Sequence, residues 1–571
     1  MTTLPLPAPV TRNVAAAAYA PRRPAGPIDL DLAGTEGPGS PAIAMLPENA
    51  ARRSISRYPD VAPLRNALAA RHGVDPWQVL LTAGADEALE RLFRAYLEPT
   101  REVILTDPTF EMLPRYAEAS GATLVRVPWT SSQFPLDALL GAITPRTSVI
   151  AVVTPNNPTG AVATSADITA IHDAAPNAVV VVDLAYVEYA DCDPTAALLA
   201  LPRAVIVRTF SKAWGLAGAR VGYAVGAAGV IAAAVTAGNP YPVSTPSLSL
   251  ARNSLETGEE AMRDRTRQVR ERRSGILASL AAARLPAIPT QANFACVSPA
   301  DPRWLWDALA GFGIGTRLIE APTPSHVRIT VPEDDPGCDR FADALQCITD
   351  PECVVFDMDG VIADVSRSYR AAIIGAAAEF GVTVVPADIR AMKEAGNAND
   401  DWVVTATLIA GQRGGVAFDD VKSAFERLYH GTDAVAGLHV EEALLVDPGL
   451  LRRLAARRTL AIATGRPRGD AEAFLERFGI RDCFAACVTC DDGPGKPDPF
   501  AATEALRRVG ARRAWMIGDT PDDIRCARRA GLLPLGVLAP GDRGSPMSAA
   551  LLSAGAARVL SSLDDLEILL P

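Results

Sequence analysis

The chain has 571 residues, enough for about three or four folding units with large buried cores. Hydrophobic residues make up 49% and charged residues 21%, which excludes disorder, collagen and coiled coil as overall descriptions. A net charge of −11 argues against nonspecific nucleic-acid binding, which neutralises phosphates with Lys and Arg. No apolar run approaches the roughly 18 to 20 residues of a membrane span. Residues 1–26 are broken by prolines, Arg22 and Arg23, and lack the apolar core of a signal peptide, so a cytoplasmic protein is expected.

Residues 1–27 read as a Pro- and Ala-rich N-terminal arm. From 28 to 348, β-like runs alternate with helical segments. The runs include Glu102–Thr106, Val149–Thr154, Ala178–Asp183 and Ala204–Arg208. Unbroken apolar runs of this length suit strands buried on both faces of a mainly parallel sheet. Residues 258–283 predict one long helix whose Arg/Glu run is a solvated face. A boundary is expected near Thr349-Asp350-Pro351. A second βα series, 352–571, contains Cys353–Phe356, Thr459–Ala463 and Ala514–Ile517, with about a hundred mostly helical residues between the first two.

Nine cysteines do not make a disulfide framework in so long a chain. Cys487 and Cys490 form one C-x-x-C with no second pair nearby. Buried structural thiols are the favoured reading over a redox or zinc pair. Only four of the 55 basic residues are lysines: Lys212, Lys393, Lys422 and Lys496. Where arginine is used nearly everywhere, a lysine is a place to look for amine chemistry, because arginine does not lose its proton.

Lys212 is the sole lysine of the first half, in Arg208-Thr-Phe-Ser-Lys-Ala-Trp-Gly-Leu-Ala-Gly-Ala-Arg220. A pyridoxal phosphate enzyme needs a lysine for the aldehyde, a carboxylate for the pyridine nitrogen, and hydroxyls and a cation for the phosphate. Thr209, Ser211 and Arg220 offer the last of these. Asp183 ends an apolar strand, at the carboxyl edge where ligands of parallel sheets sit. Pro155-Asn-Asn-Pro-Thr-Gly160 puts Asn157 on the same edge. With Arg57-Tyr-Pro-Asp60, Ala83-Gly-Ala-Asp-Glu87, Asp107-Pro-Thr-Phe110, Asp183-Leu-Ala-Tyr186 and Val327-Arg-Ile-Thr330, the segment resembles a fold-type I aminotransferase of class I/II. Within that group it is most similar to histidinol-phosphate aminotransferases.

The resemblance implies a large mainly parallel domain plus a small α/β domain, with pyridoxal 5'-phosphate as cofactor. It implies that Lys212 bonds the coenzyme aldehyde and moves the substrate proton, and that Asp183 pairs with the ring nitrogen. Tyr186 and Asn157 would bind the ring oxygen, and Phe110 would stack on the ring. The NH groups of Ala85 and Asp86, with Thr209, Ser211 and Arg220, would receive the phosphate. Tyr58 would reach the partner's coenzyme, so a homodimer is implied. Arg328 would clamp the carboxylate of glutamate or 2-oxoglutarate, and Arg317 is a weaker candidate for a substrate phosphate. Two positions depart from the family: Leu184 replaces an acid, and Thr35-Glu-Gly-Pro38 replaces Asn-Glu-Asn-Pro.

In the second half, Val354-Val-Phe-Asp-Met-Asp-Gly-Val361 ends a buried strand in two carboxylates on one side. Phosphoryl transfer through a carboxylate needs a nucleophile, an acid/base and a cation. With Ala461-Ile-Ala-Thr-Gly465, Gly495-Lys-Pro-Asp498 and Met516-Ile-Gly-Asp-Thr-Pro-Asp-Asp523, residues 352–571 resemble a haloacid dehalogenase superfamily phosphatase. This implies a Rossmann-like domain with a helical cap at about 366–455. Asp357 would be nucleophile and Asp359 acid then base. Thr464 and Lys496 would hold the phosphoryl group. Asp357, the carbonyl of Asp359, and Asp519 would hold Mg²⁺, with Asp523 acting through Lys496. Asp522 is expected to be exposed. Lys393 lies in the cap before Gly396-Asn-Ala-Asn-Asp-Asp-Trp402; a surface lysine is favoured, an aldehyde-capturing amine being the other reading.

Together the halves imply a bifunctional enzyme that transaminates imidazole-acetol phosphate with glutamate and hydrolyses histidinol phosphate, as in histidine biosynthesis. The rival reading keeps both chemistries on another phosphorylated amino compound. A regulator or inactive scaffold is disfavoured, because both catalytic sets are present and no DNA-binding module precedes them.

Overall fold

A computed structural model describes residues 22–36, 39, 56–320, 325–396 and 398–571. Most of the expected N-terminal arm, together with Gly37, Pro38 and Asn397, lies outside the described residues. The chain forms two compact units. One is built mainly from 32–302 and 316–338; the other comprises 23–31, 303–315 and 339–571. No helix among the described residues is long and apolar enough to cross a membrane.

The first unit is centred on a seven-stranded sheet: β1 (Val79–Thr82), β2 (Glu102–Asp107), β3 (Thr123–Pro128), β4 (Thr147–Val153), β5 (Val179–Asp183), β6 (Ala204–Thr209) and β7 (Gly222–Gly226). The strand order is β1-β7-β6-β5-β4-β2-β3. β7 alone runs antiparallel to its neighbours. Valine runs in β4, β5 and β6 are buried on both faces, as the unbroken apolar pattern predicts. The carboxyl ends of β1, β4, β5 and β6 and the start of β7 therefore share one edge. Helix α1 (Gly84–Tyr96) follows β1 directly. The long helix expected at 258–283 is α2 (Glu259–Ala282). A small antiparallel sheet, β8 (Phe294–Val297), β9 (Arg317–Ile319) and β10 (His326–Thr330), makes Arg317 and Arg328 cross-strand partners.

The second unit is built on an all-parallel six-stranded sheet: β11 (Cys353–Phe356), β12 (Thr459–Ala463), β13 (Ala486–Val488), β14 (Ala514–Gly518), β15 (Leu533–Val537) and β16 (Arg558–Leu560). The order is β13-β12-β11-β14-β15-β16. Central β11 lies between β12 and β14, so Asp357, Thr464 and Asp519 leave neighbouring strand ends. Helix α3 (Pro302–Gly311) and the last turns of α4 (Asp335–Thr349) also pack in this unit. Trp304 meets the buried Trp515 at 5.4 Å, and Trp515 Nε1 donates to the Cys347 carbonyl at 2.9 Å. The cap holds α5 (Tyr369–Glu379), α6 (Pro386–Ala395), α7 (Asp401–Arg413) and α8 (Phe418–His430). Its core is the Tyr369, Phe425 and Tyr429 cluster, with Tyr369 and Tyr429 rings 4.4 Å apart. α9 (Pro521–Arg529) follows β14.

Candidate active sites

In the first unit the shared sheet edge gathers the expected anion-binding groups. α1 begins at Gly84 with no side-chain cap, which leaves first-turn N–H groups at Ala85 and Asp86 for an anion. Gly222 is opposite both Thr82 and Thr209, and a Cβ there would stand 2.5 Å from the Ala85 nitrogen. Only glycine permits this approach. Thr209 donates to Ser211 Oγ at 2.9 Å, and Arg220 reaches that oxygen at 3.5 Å. Arg220 also pairs with Asp86 at 2.8 Å, a half-exposed and solvent-screened contact.

Lys212 Nζ donates to Thr35 Oγ1 at 2.5 Å. Thr35 Oγ1 lies 3.2 Å from the Tyr186 hydroxyl, to which Asn157 Nδ2 donates at 3.4 Å. Asn157 Oδ1 accepts from Arg328 at 2.7 Å. One polar chain thus joins four expected residues through Thr35, a position singled out in the sequence only as a departure from the family pattern. Asp183 is buried at the end of β5 and accepts the Ala185 N–H at 3.0 Å. Burial pushes its carboxyl up to about 7, against the opposing Ala185 bond. A buried carboxylate of this kind fits a cationic ring nitrogen. Arg328 is likewise buried and has no carboxylate partner among the described residues; burial, then Arg317, lowers its pKa. Donors, cation, lysine and carboxylate together fit pyridoxal phosphate.

Three further expected residues lie outside this polar chain. Phe110 is half-buried and packs against the sheet core. Tyr58 is 80% exposed and stacks on Tyr241 at 4.5 Å. Arg317 is held by both oxygens of Glu111, at 2.8 and 2.9 Å.

In the second unit Lys496 Nζ lies 2.5 Å from both Asp357 and Asp523. Carboxylate oxygens of Asp357, Asp519 and Asp523 lie within 4.8 Å of one another. Thr520 holds Asp523 at 2.6 Å. Burial pushes Asp357 up to about 7, opposed by Lys496 and supported by Asp523 and Asp359. Asp519 is raised well above the usual range by burial, then by Asp523 and Asp357. Hard oxygen donors with excess negative charge fit Mg²⁺. Gly360, at φ +76°, makes the tight turn, since a Cβ would meet Asp519 at 2.1 Å.

Asp359 points to a partner that the sequence did not disclose. Arg466 is fully buried, donates to Asp359 at 2.6 Å and to Glu442 at 3.1 Å, and lies over the Tyr369 ring at 5.0 Å. Glu442 also accepts from Ser368 and Tyr429 at 2.9 and 3.1 Å. The acid/base candidate is therefore held by a network reaching into the cap. Thr464 is buried, its hydroxyl accepting the Arg466 N–H at 3.2 Å. Asp522 is not exposed as expected: it is buried and accepts the Ala398 N–H at 3.1 Å, because it anchors the cap loop. Lys393 is not a surface lysine either. It sits 3.5 Å from Asp401 in the electrostatic range of Asp519 and Asp359. Cys487 and Cys490 are free thiols, both pushed up to about 11 by burial. His430 and His439 approach to 6.4 Å, but face Asp470 and the Tyr429 carbonyl.

Residues 31–345 match the aminotransferase class I and II family, and residues 351–531 match the haloacid dehalogenase-like hydrolases. A histidinol-phosphate aminotransferase of Hyphomonas neptunium is 35% identical over 55% of this chain and 88% of its own. An aromatic amino acid aminotransferase of Corynebacterium glutamicum is 37% identical over 49% of this chain and 82% of its own. An imidazoleglycerol-phosphate dehydratase of Phytophthora nicotianae is 44% identical over 197 residues, 33% of this chain and 44% of that protein, so this chain spans under half of that relative. The solved histidinol-phosphate aminotransferase of Sinorhizobium meliloti, in complex with pyridoxal-5'-phosphate, shares the fold at TM-score 0.54 and 24% identity, over 60% of this chain and 97% of its own. The chain belongs to the class I and II aminotransferases, and carries a haloacid dehalogenase-like hydrolase domain fused behind the aminotransferase.

Proposed function

We propose a bifunctional enzyme acting on histidinol phosphate: transamination at Lys212 in a domain spanning 28–348, and phosphate-ester hydrolysis at Asp357 in a domain spanning 352–571. The reading is supported by two different clusters: Lys212, Tyr186, Asn157 and Arg328 joined through Thr35 in one unit, and Lys496 between Asp357 and Asp523 in the other. Relatives named for histidinol phosphate and imidazoleglycerol phosphate favour an imidazole-bearing phosphate ester.

Pyridoxal phosphate, when bound, supplies an electron sink for the substrate Cα. Asp183, Tyr186, Asn157, Thr209, Ser211 and Arg220 would hold it, with Phe110 against the ring. The Thr35 hydroxyl orients Lys212 Nζ, which takes and returns the substrate proton. Arg328, a buried cation short of an anion, receives the carboxylate of glutamate or 2-oxoglutarate. Arg317 serves a substrate phosphate only by leaving Glu111. The exposed Tyr58, now stacked on Tyr241, would reach a partner subunit's coenzyme in a homodimer.

In the second domain Asp357, Asp519 and the Asp359 carbonyl would hold Mg²⁺, which supplies charge neutralisation. An Asp357 oxygen attacks phosphorus, and the leaving oxygen takes its proton from Asp359. Water, deprotonated by Asp359, then attacks the aspartyl phosphate, releasing phosphate and restoring Asp357. Lys496 and Thr464 steady the phosphoryl oxygens.

The test uses the purified full chain with histidinol phosphate. Phosphate release that stops on chelation, and 2-oxoglutarate-dependent loss of the amine, are both expected. Amine transfer from aromatic amino acids with no action on histidinol phosphate would favour the rival substrate class, which the Corynebacterium relative supports.

A further inference from the structure

The cap offers the Asp357 site one cation and one anion, side by side. Lys393 lies in the last turn of α6 and Asp401 is the first residue of α7. Nζ and Oδ1 are 3.5 Å apart, and the side chains are 11% and 15% exposed. Two residues ahead of Asp401, Ala398 and Asn399, are held at the catalytic edge. Ala398 donates to Asp522, and Asn399 crowds Gly465, where a Cβ would stand 3.1 Å from the Asn399 carbonyl oxygen. Gly465 follows Thr464, so Asn399 lies beside the place where the phosphoryl group would be held.

The charges around the pair leave it open to a ligand. Arg370 on α5 and Arg390 on α6 are bonded to Asp542, and Arg525 to Asp522. Asp401 Oδ1 is shielded from solvent without a well-formed hydrogen bond, its contact with Lys393 being at the outer limit. Burial raises the Asp401 pKa, with Lys393 only partly offsetting it. A carboxylate in that position gains from a second ammonium with donors to spare. Burial also works to lower the Lys393 pKa, but Asp401, Asp519 and the other carboxylates outweigh it and the net shift is upward. Lys393, held 3.5 Å from Asp401, is placed to meet an anion.

We propose that Lys393 and Asp401 form a recognition pair for zwitterionic substrates, selecting phosphate monoesters whose carbon skeleton bears a primary ammonium group. Lys393 attracts the phosphate and Asp401 receives the ammonium. The inference rests on the phosphatase reading and narrows its substrates to amine-bearing esters, the class that the transamination half produces.

The experiment compares histidinol phosphate with 3-(imidazol-4-yl)propyl phosphate, which lacks only the amine, using the full chain and Mg²⁺. The wild type is expected to prefer the amine ester in kcat/KM by about 30-fold, the scale of one charge-assisted hydrogen bond. In Asp401→Asn the preference falls to about threefold or less, and Asp401→Glu recovers part of it. Lys393→Met lowers kcat/KM for both esters by about tenfold and keeps the preference. Circular dichroism and a thermal unfolding profile matching the wild type in the same preparations show that the variants fold. A wild type that hydrolyses both esters equally, or an Asp401→Asn variant that keeps the full preference, overturns the recognition pair while leaving the phosphatase intact. Hydrolysis of neither ester overturns the phosphatase reading on this substrate and the recognition pair with it.

Discussion

Lys212 and Lys496 stand at the carboxyl edges of two parallel sheets, in opposite company. Lys212 meets a neutral hydroxyl, Thr35, and no carboxylate pairs with it among the described residues. Lys496 is wedged between Asp357 and Asp523, and although burial works to lower its pKa, those carboxylates raise it. The first arrangement leaves the amine available to take and give a proton. The second keeps the charge fixed against phosphate. In the proposed function, a chain whose basic residues are almost all arginine would use one lysine as a reagent and another as an immobile cation.

The sharpest way to break this comparison is to disable each site separately. Asp357→Asn is expected to lower phosphate release by at least about a thousandfold and leave transamination within about twofold. Lys212→Ala should do the reverse and abolish the visible absorption of the bound coenzyme. Loss of both activities in either variant would show that the two sites do not act independently.

A smaller effect is expected where Arg466 holds Asp359. Lysine cannot bridge Asp359 and Glu442 as a guanidinium does, so Arg466→Lys should lower kcat by about ten- to a hundredfold, with KM little changed. A shifted pH profile for phosphate release would mark loss of control over the acid/base. An unchanged profile with lower thermal stability would reduce Arg466 to a packing role.

A separate effect, on stability and not on rate, concerns Asp183 in cofactor-free protein. Its folded pKa of about 7 lies above the ordinary value of 3.8, so the folded state holds the proton more tightly. The associated stability is present at low pH and lost as pH rises through 7. Asp183→Asn should therefore be more stable than the wild type at pH 8 by up to about 4 kcal/mol, the gap narrowing at pH 5. Denaturant unfolding at the two pH values checks this; a gap of the same size at both would remove the titration from the explanation.

Strand ends carried most of what the sequence disclosed. A βα unit delivers the residue after an apolar run to the ligand edge, so Asp183, Thr209, Asp357, Thr464 and Asp519 were readable from local pattern. Their supports were not. Arg466 is one arginine among many, and its partners Asp359 and Glu442 are 107 and 24 residues away in sequence. Asp522, next to the Lys496-paired Asp523, carries no mark that distinguishes a loop anchor from a solvated acid. Lys393 read as a surface lysine because its neighbours arrive from another helix and from the catalytic core. Thr35 was noticed for what it replaced; its contact with Lys212 exists only once residues 177 positions apart fold together.

The packing around Trp515 bears on how the protein can be divided. Its indole is covered by Trp304 and its N–H is satisfied by Cys347, both upstream of the hydrolase-like sequence match. Severing the chain at residue 351 would strip a large aromatic surface and strand a buried donor, at a cost on the order of 3 to 5 kcal/mol. Excised hydrolase that aggregates would be reporting that wound rather than a lack of catalytic power. Fragments meant to separate the two activities should begin before residue 303, or silence one half by substitution within the intact polypeptide.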